Sequence, residues 1–164
     1  MKGLSLSLKK SADELIIRHA LASDCELLLE LMKKLAKFED YIDDFCVTKE
    51  DLLVHGFSQS EPTFTALVAE QGTSMQAYLV YYLIPFTYDL KPTLFIKELY
   101  VDETARGQNI GKRLMQLAIA DAKEKGCGRL KWDVLSDNIK AQSFYKSLGA
   151  KHDARWQGFV LQLE

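Results

Sequence analysis

The sequence predicts an α/β protein, a single domain built on a mixed, mostly antiparallel twisted sheet with helices on its faces. Three observations lead there. Runs rich in β-branched and aromatic residues alternate with helical runs in the order βααβββαβαβ. The chain's 164 residues suffice for one domain with a sizeable core. Its composition, 48% hydrophobic and 27% charged, is that of an ordinary globular chain rather than a disordered or membrane-embedded one.

Taken in order, "ELIIRHA" (Glu14 to Ala20) reads as a short strand. Asp24 or Ser23 then caps a helix through "CELLLELMKKLAKFEDY", where Leu28, Leu31, Met32 and Leu35 fall at helical spacing. "TKEDLLVHGF" is a second, short helix, with Thr48 and Asp51 spaced as a capping box and Gly56 as its stop. "TFTALVAEQ" and "MQAYLVYYLIPF" are strands joined near Gly72, the second ending or bending at Pro85. "TLFIKELYV" is a further strand. It leads through a glycine-punctuated turn into a helix that runs to about Lys125. "RLKWDVL" alternates as a strand, "IKAQSFYKSLGA" is a helix closed by Gly149, and "GFVLQLE" is a last strand. Residues 1–13 read as a flexible extension and residues 14–164 as the domain.

Several function classes are disfavoured at this stage. A net charge of −2 carries no basic footprint for nucleic acid or for a membrane surface. No apolar run approaches the roughly 20 residues of a spanning helix, and the N-terminal stretch lacks the apolar core of a secretory signal. Three scattered cysteines argue against a disulfide framework, and His19, His55 and His152 are too isolated for metal-ligand spacing, so no metal is expected. The expected setting is the cytoplasm.

The informative segment is "ARGQNIGKR", where a helix starts with cations at the end that the helix dipole already makes positive. Gly107 and Gly111 permit unusual dihedrals or a close ligand, and Asn109 is the non-glycine residue that best tolerates the left-handed region. Unpaired N–H groups, a positive dipole end, Arg106, Lys112 and Arg113 together describe an anion site; solvated surface cations are the bland alternative. There is neither a GxGxxG fingerprint nor a GxxxxGK[ST] loop, so a metal-bound triphosphate is disfavoured.

"ELYVDETARGQNIGKRLM" resembles the pyrophosphate-binding segment of the GCN5-related N-acetyltransferases, whose pattern is Arg/Gln-x-x-Gly-x-Gly/Ala. Arg106 and Gly111 match, and Asn109 stands at the middle glycine. "NIKAQSFYKSLGA" is similar to a second signature of that family, with Asn138, Tyr145, Gly149 and Ala150 in place. "LAKFEDYIDDFCVTKEDLLVHGF" and "YYLIPFTYDLKPTLFIKELYV" resemble the spermidine/spermine and thialysine N-acetyltransferase branch. The resemblance spans about Ile16 to Leu163. It implies the acyl-CoA N-acyltransferase fold, acetyl-CoA as the acyl donor, a small-molecule amine acceptor and a homodimer, with the "YLVYYL" strand and the C-terminal strand as candidate interface elements.

The reaction needs a neutral amine, a stabilised oxyanion and a protonated leaving thiolate. A primary amine near pKa 10.4 is mostly protonated at neutral pH, so a base is useful. Glu98 is the candidate base or amine anchor: in an apolar strand, with Ile96 and Tyr100 on its face if the pleat is regular, it would be desolvated and raised. By pattern alone it is equally an edge charge paired with Lys97. Tyr145 shares a helix face with Ala141, Phe144 and Leu148 and is either core or, as the resemblance implies, the acid for the thiolate. Asn138 caps that helix, bonds the pantetheine arm, or does both. The resemblance further implies cofactor contacts from Leu99, Tyr100, Val101, Arg106, Gly107, Gln108, Asn109, Ile110, Gly111, Lys112, Ala141 and Lys146. It assigns Phe38, Glu39 and Asp89, with Glu98, to the acceptor. Lys97 stands where the polyamine branch is commonly acidic, which favours a mono-amine or amino-acid acceptor. Two alternatives are an acetyltransferase for protein lysines or N-termini, and a non-catalytic acyl-CoA-binding module.

Overall fold

The structure is a computed structural model, described here for residues 14–58, 60–85 and 88–163; the expected extension over residues 1–13 lies outside the described residues. Two compact units divide it, one ending at Trp132 and the other beginning at Asp133.

The first unit contains β1 (Leu15–His19), α1 (Cys25–Phe38), α2 (Lys49–Gly56), β2 (Thr65–Gln71), β3 (Ser74–Ile84), β4 (Thr93–Val101), α3 (Ile110–Glu124) and β5 (Arg129–Trp132). The strands lie in the order β1-β2-β3-β4-β5. All neighbours are antiparallel except β4 and β5, which run parallel around the α3 crossover. The β2–β3 hairpin turns where Gly72 takes a φ of 62°.

Two apolar layers hold the sheet. On one face Cys25, Leu28, Leu31, Met32 and Leu35 of α1 and Leu52 of α2 pack on Ala66, Val68, Met75, Tyr78, Val80 and Tyr100. The alternate residues Leu67, Leu79, Tyr81 and Leu94 are buried with Ile110, Leu114, Met115 and Ala118 of α3. Each fully buried side chain of this size contributes roughly 1.5–3 kcal/mol.

Local chemistry sets the helix ends. Thr48 Oγ1 accepts from the Asp51 N–H at 3.2 Å, and Asp51 Oδ2 accepts from the Thr48 N–H at 2.8 Å, completing the expected capping box. Asp24, by contrast, does not cap α1 with its side chain. Its carboxylate is occupied by Arg18, at 2.6 and 3.0 Å, and by the Leu21 N–H at 2.7 Å.

The second unit contains α4 (Ile139–Ser147). Gly149 closes it at φ 88°, with the Gly149 and Ala150 N–H groups donating to the Lys146 and Tyr145 carbonyls. Two strand expectations fail here. β5 stops at Trp132 rather than Leu135, and "GFVLQLE" forms no strand over the described residues 158–163. A strand exists only as part of a hydrogen-bonded ladder, and this unit offers no partner. Phe159, Val160, Leu161 and Leu163 are exposed.

Candidate active site

β4 is where the chemistry gathers, for two backbone reasons. It pairs with β5 only over Thr93–Ile96 and then continues alone on that side to Val101. The edge carrying Leu99, Tyr100 and Val101 is therefore open toward β5, while the opposite edge stays paired with β3. The second reason is a bulge: Val80 faces Glu98 and Tyr81 faces Ile96, so Lys97 is an extra residue in β4.

That bulge corrects the expected pleat. Ile96 lies with Tyr81 on the α3 face, whereas Glu98 lies with Val80 and Tyr100 on the α1 face. Glu98 is half-buried, and Tyr78 Oη donates to its Oε2 at 2.9 Å. Burial raises the Glu98 carboxyl above the usual carboxylate range; the Tyr78 bond and Lys97 pull it down, and Glu39 pushes it up. Glu39 follows the last residue of α1. Desolvation raises its carboxyl, against Lys97, which lowers it. Tyr41 completes the group, its phenol pushed up to about 12 by burial and then by Glu98 and Glu39. The structure thus brings Glu39, Glu98 and Lys97 together with two residues the sequence reading missed, Tyr41 and Tyr78. Tyr41 is two positions past Glu39. Tyr78 is a hydroxyl-bearing residue in an apolar strand, where burial demands a partner.

Asp89 is not part of this group. It lies near the start of β4, at the other end of the strand from Glu98, and its carboxylate accepts from the Arg129 guanidinium and the Lys91 N–H. Arg129 also stacks over Tyr88.

The turn from β4 to α3 has the backbone an anion site requires. Asp102 opens it, with its carboxylate taken up by Lys34 Nζ at 2.5 Å and by the N–H and hydroxyl of Thr104. Those contacts hold it at about 2. Gly107 has φ 80° with open space where a Cβ would stand, so its need for glycine is conformational. Asn109 is left-handed at φ 58° and lends no side-chain cap to α3, whose first turn has no acidic residue. The N–H groups at the start of α3 are left for a ligand. Gln108 and Lys112 are exposed, Gly111 is half-buried, and Ile110 anchors the helix in the core.

The flanking arginines are already engaged. Arg106 Nε donates to the Val101 carbonyl at 3.1 Å and its guanidinium lies 5.6 Å from the Phe38 ring centre, which links the turn to the end of α1. Arg113 Nη2 donates to the Leu15 carbonyl at 3.2 Å, tying α3 to β1.

In the second unit Asn138 Oδ1 accepts from the Ala141 N–H at 3.1 Å, so it does cap α4. Ala141, Phe144, Tyr145 and Leu148 form one half-buried face, with the Phe144 and Tyr145 ring centres 5.2 Å apart; Lys146 is exposed.

A second polar cluster escaped the sequence reading. Asp121, 4% exposed within α3, accepts from Tyr81 Oη at 2.7 Å and lies 2.9 Å from His19 Nε2. Its spacing from Leu114 and Ala118 places it on the apolar stripe, and a polar residue there was the available signal.

Among the described residues no group of three His, Cys, Asp or Glu side chains is placed to hold a metal ion, and no helix is long and apolar enough to cross a membrane.

Comparison with known proteins agrees with this geometry. The model of the acetyltransferase (GNAT) family matches residues 26–150. The chain is 33% identical over 163 residues to thialysine N-epsilon-acetyltransferase of Sus scrofa, covering 90% of this chain and 95% of that one. It is 35% identical over 164 residues to the spermidine/spermine N(1)-acetyltransferase-like protein 1 of Homo sapiens, covering 92% of this chain but 22% of that longer protein. An aminoglycoside N-acetyltransferase solved in complex with CoA shares the fold at a TM-score of 0.73, with 16% identity over 95% of this chain and 99% of its own. The chain belongs to the GNAT acetyltransferase family and is an acetyl-CoA-dependent N-acetyltransferase.

Proposed function

We propose that the chain transfers the acetyl group of acetyl-CoA to a primary amine of a small cationic acceptor, a polyamine, diamine or thialysine-like amino acid, by direct attack in a ternary complex. The observation that carries the reading is the half-buried Glu98, held by Tyr78 on the one strand whose outer edge is open. Acetyl-CoA supplies the thioester. The uncapped start of α3, with Arg106 and Lys112 beside it, suits its diphosphate. Backbone groups of Leu99, Tyr100 and Val101 suit its amide arm and the developing oxyanion, a contact of about 2.7–4 kcal/mol where an N–H meets it well.

Glu98 takes the proton of the attacking nitrogen as the new C–N bond forms. Tyr145 gives its proton to the sulfur as the C–S bond breaks, which leaves an acetamide and CoA thiol. Phe38 and Glu39 border the acceptor. Asp89, engaged with Arg129, acts on the acceptor only through long-range field. The chain works as a homodimer in the cytoplasm, readings that rest on the family resemblance alone.

Release of CoA is the test, with spermidine, thialysine and a lysine peptide as acceptors. Turnover on the small amines is expected, with kcat about 10²-fold lower in Tyr145→Phe at unchanged CoA affinity. Turnover confined to the peptide contradicts the acceptor class. CoA binding with no turnover on any amine contradicts the catalytic reading.

A further inference from the structure

The acceptor end of the site holds three charged side chains of different sign, Glu39, Lys97 and Glu98. Lys97 is there because of the bulge: it is the residue β4 inserts between the rungs at Ile96 and Glu98. Successive Cα atoms are about 3.8 Å apart, so a lysine adjoining Glu98 keeps its ammonium in that carboxylate's neighbourhood whatever its rotamer. Lys97 is exposed and Glu98 half-buried, which puts the ammonium at the outer side and the carboxylate inside. The charge of Lys97 also reaches Glu39 at the end of α1.

With both acids ionised, two carboxylates and one ammonium leave the group with a single net negative charge. A diamine brings two positive charges and spermidine three, and the surplus meets Lys97. An amino acid with a side-chain amine carries two ammonium groups and one carboxylate. Its net single positive charge balances the group, and its carboxylate offers Lys97 an acceptor for the ammonium's three donors.

We propose that Lys97 is the specificity-determining residue of the acceptor site: it binds the carboxylate of an amino acid whose side-chain amine is delivered to Glu98, so that amino acids are preferred over polyamines. The proposal rests on the acetyl-transfer reading above and narrows its acceptor class. Glu39 then faces the α-ammonium.

Matched acceptors that differ only by the carboxylate test it: L-lysine against cadaverine, and L-ornithine against putrescine, with CoA release as readout in wild type and in Lys97→Glu. A charge-assisted contact of this kind corresponds to roughly 10–100-fold in affinity. The wild-type kcat/KM ratio of amino acid to diamine is therefore expected at or above about tenfold. Lys97→Glu is expected to lower that ratio by about 100-fold, chiefly through a higher KM for the amino acids. Diamines used as well as the amino acids by the wild type, or a ratio that Lys97→Glu does not move, would overturn the proposal and leave acetyl transfer standing. No CoA release with any of the four amines overturns both.

Discussion

Glu98→Gln lowers kcat by roughly 10²–10⁴-fold, the range a positioned general base supplies, and leaves the fold intact. The substitution keeps the shape and still accepts the Tyr78 hydrogen bond, so the loss tracks the proton acceptor and not the packing. The pH dependence follows from the sign of the shift. Folding raises the Glu98 carboxyl above the usual value near 4.3, through burial first, so the base form appears later than for an exposed glutamate. Activity therefore rises with pH along an acidic limb displaced above that value, and Tyr78→Phe, which removes a bond that lowers the carboxyl, moves the limb higher still. By linkage, ionised Glu98 costs stability as pH rises through the same window, so Glu98→Gln matches or exceeds the wild type in thermal stability at neutral pH. A variant that unfolds, or that keeps wild-type turnover, contradicts the role.

Arg18→Met is the largest expected loss of stability, about 3 kcal/mol, near the low end for breaking a buried ion pair because Arg18 is itself a quarter exposed. The guanidinium serves Asp24 with two bonds and Glu70 with one at 2.5 Å. Asp24 is 7% exposed and keeps only the Leu21 N–H once the arginine is gone. For a domain of this size that corresponds to roughly 6–12 °C in Tm. Arg18 holds the Asp24 carboxyl below its usual range, so this contribution is fully present above the unfolded value near 3.9 and is lost as pH falls through the folded one. The gap between variant and wild type, measured by urea denaturation, is expected to be widest at neutral pH and to narrow in acid. A gap that is absent at pH 7, or that widens in acid, contradicts the assignment.

What the sequence made legible was whatever depends on neighbours along the chain. The Thr48–Asp51 box, the apolar stripes of α1 and α3, the left-handed Asn109 and the Asn138 cap are local devices, and each is present. The losses are features that depend on a partner strand or a distant side chain. The bulge at Lys97 is a matter of register against β3, which no pattern within "TLFIKELYV" encodes. It moved Ile96 off the face of Glu98 and made Lys97 a candidate recognition group. Asp24 fits a helix cap by position, yet Arg18 from β1 claims its carboxylate. Tyr78 and Asp121 became visible as functional or structural polar groups only when their buried partners, Glu98 and Tyr81, were in place. The alternation in "GFVLQLE" satisfied a strand pattern without a partner to pair with.

The central claim is that the turn between β4 and α3 grips the diphosphate of coenzyme A. A crystal structure with CoA bound tests it most directly. The account predicts diphosphate oxygens within hydrogen-bonding distance of the backbone N–H groups of Gly107 to Gly111, and the pantetheine arm along the free edge of β4. Density for CoA at any other surface, with this turn left empty, would contradict it.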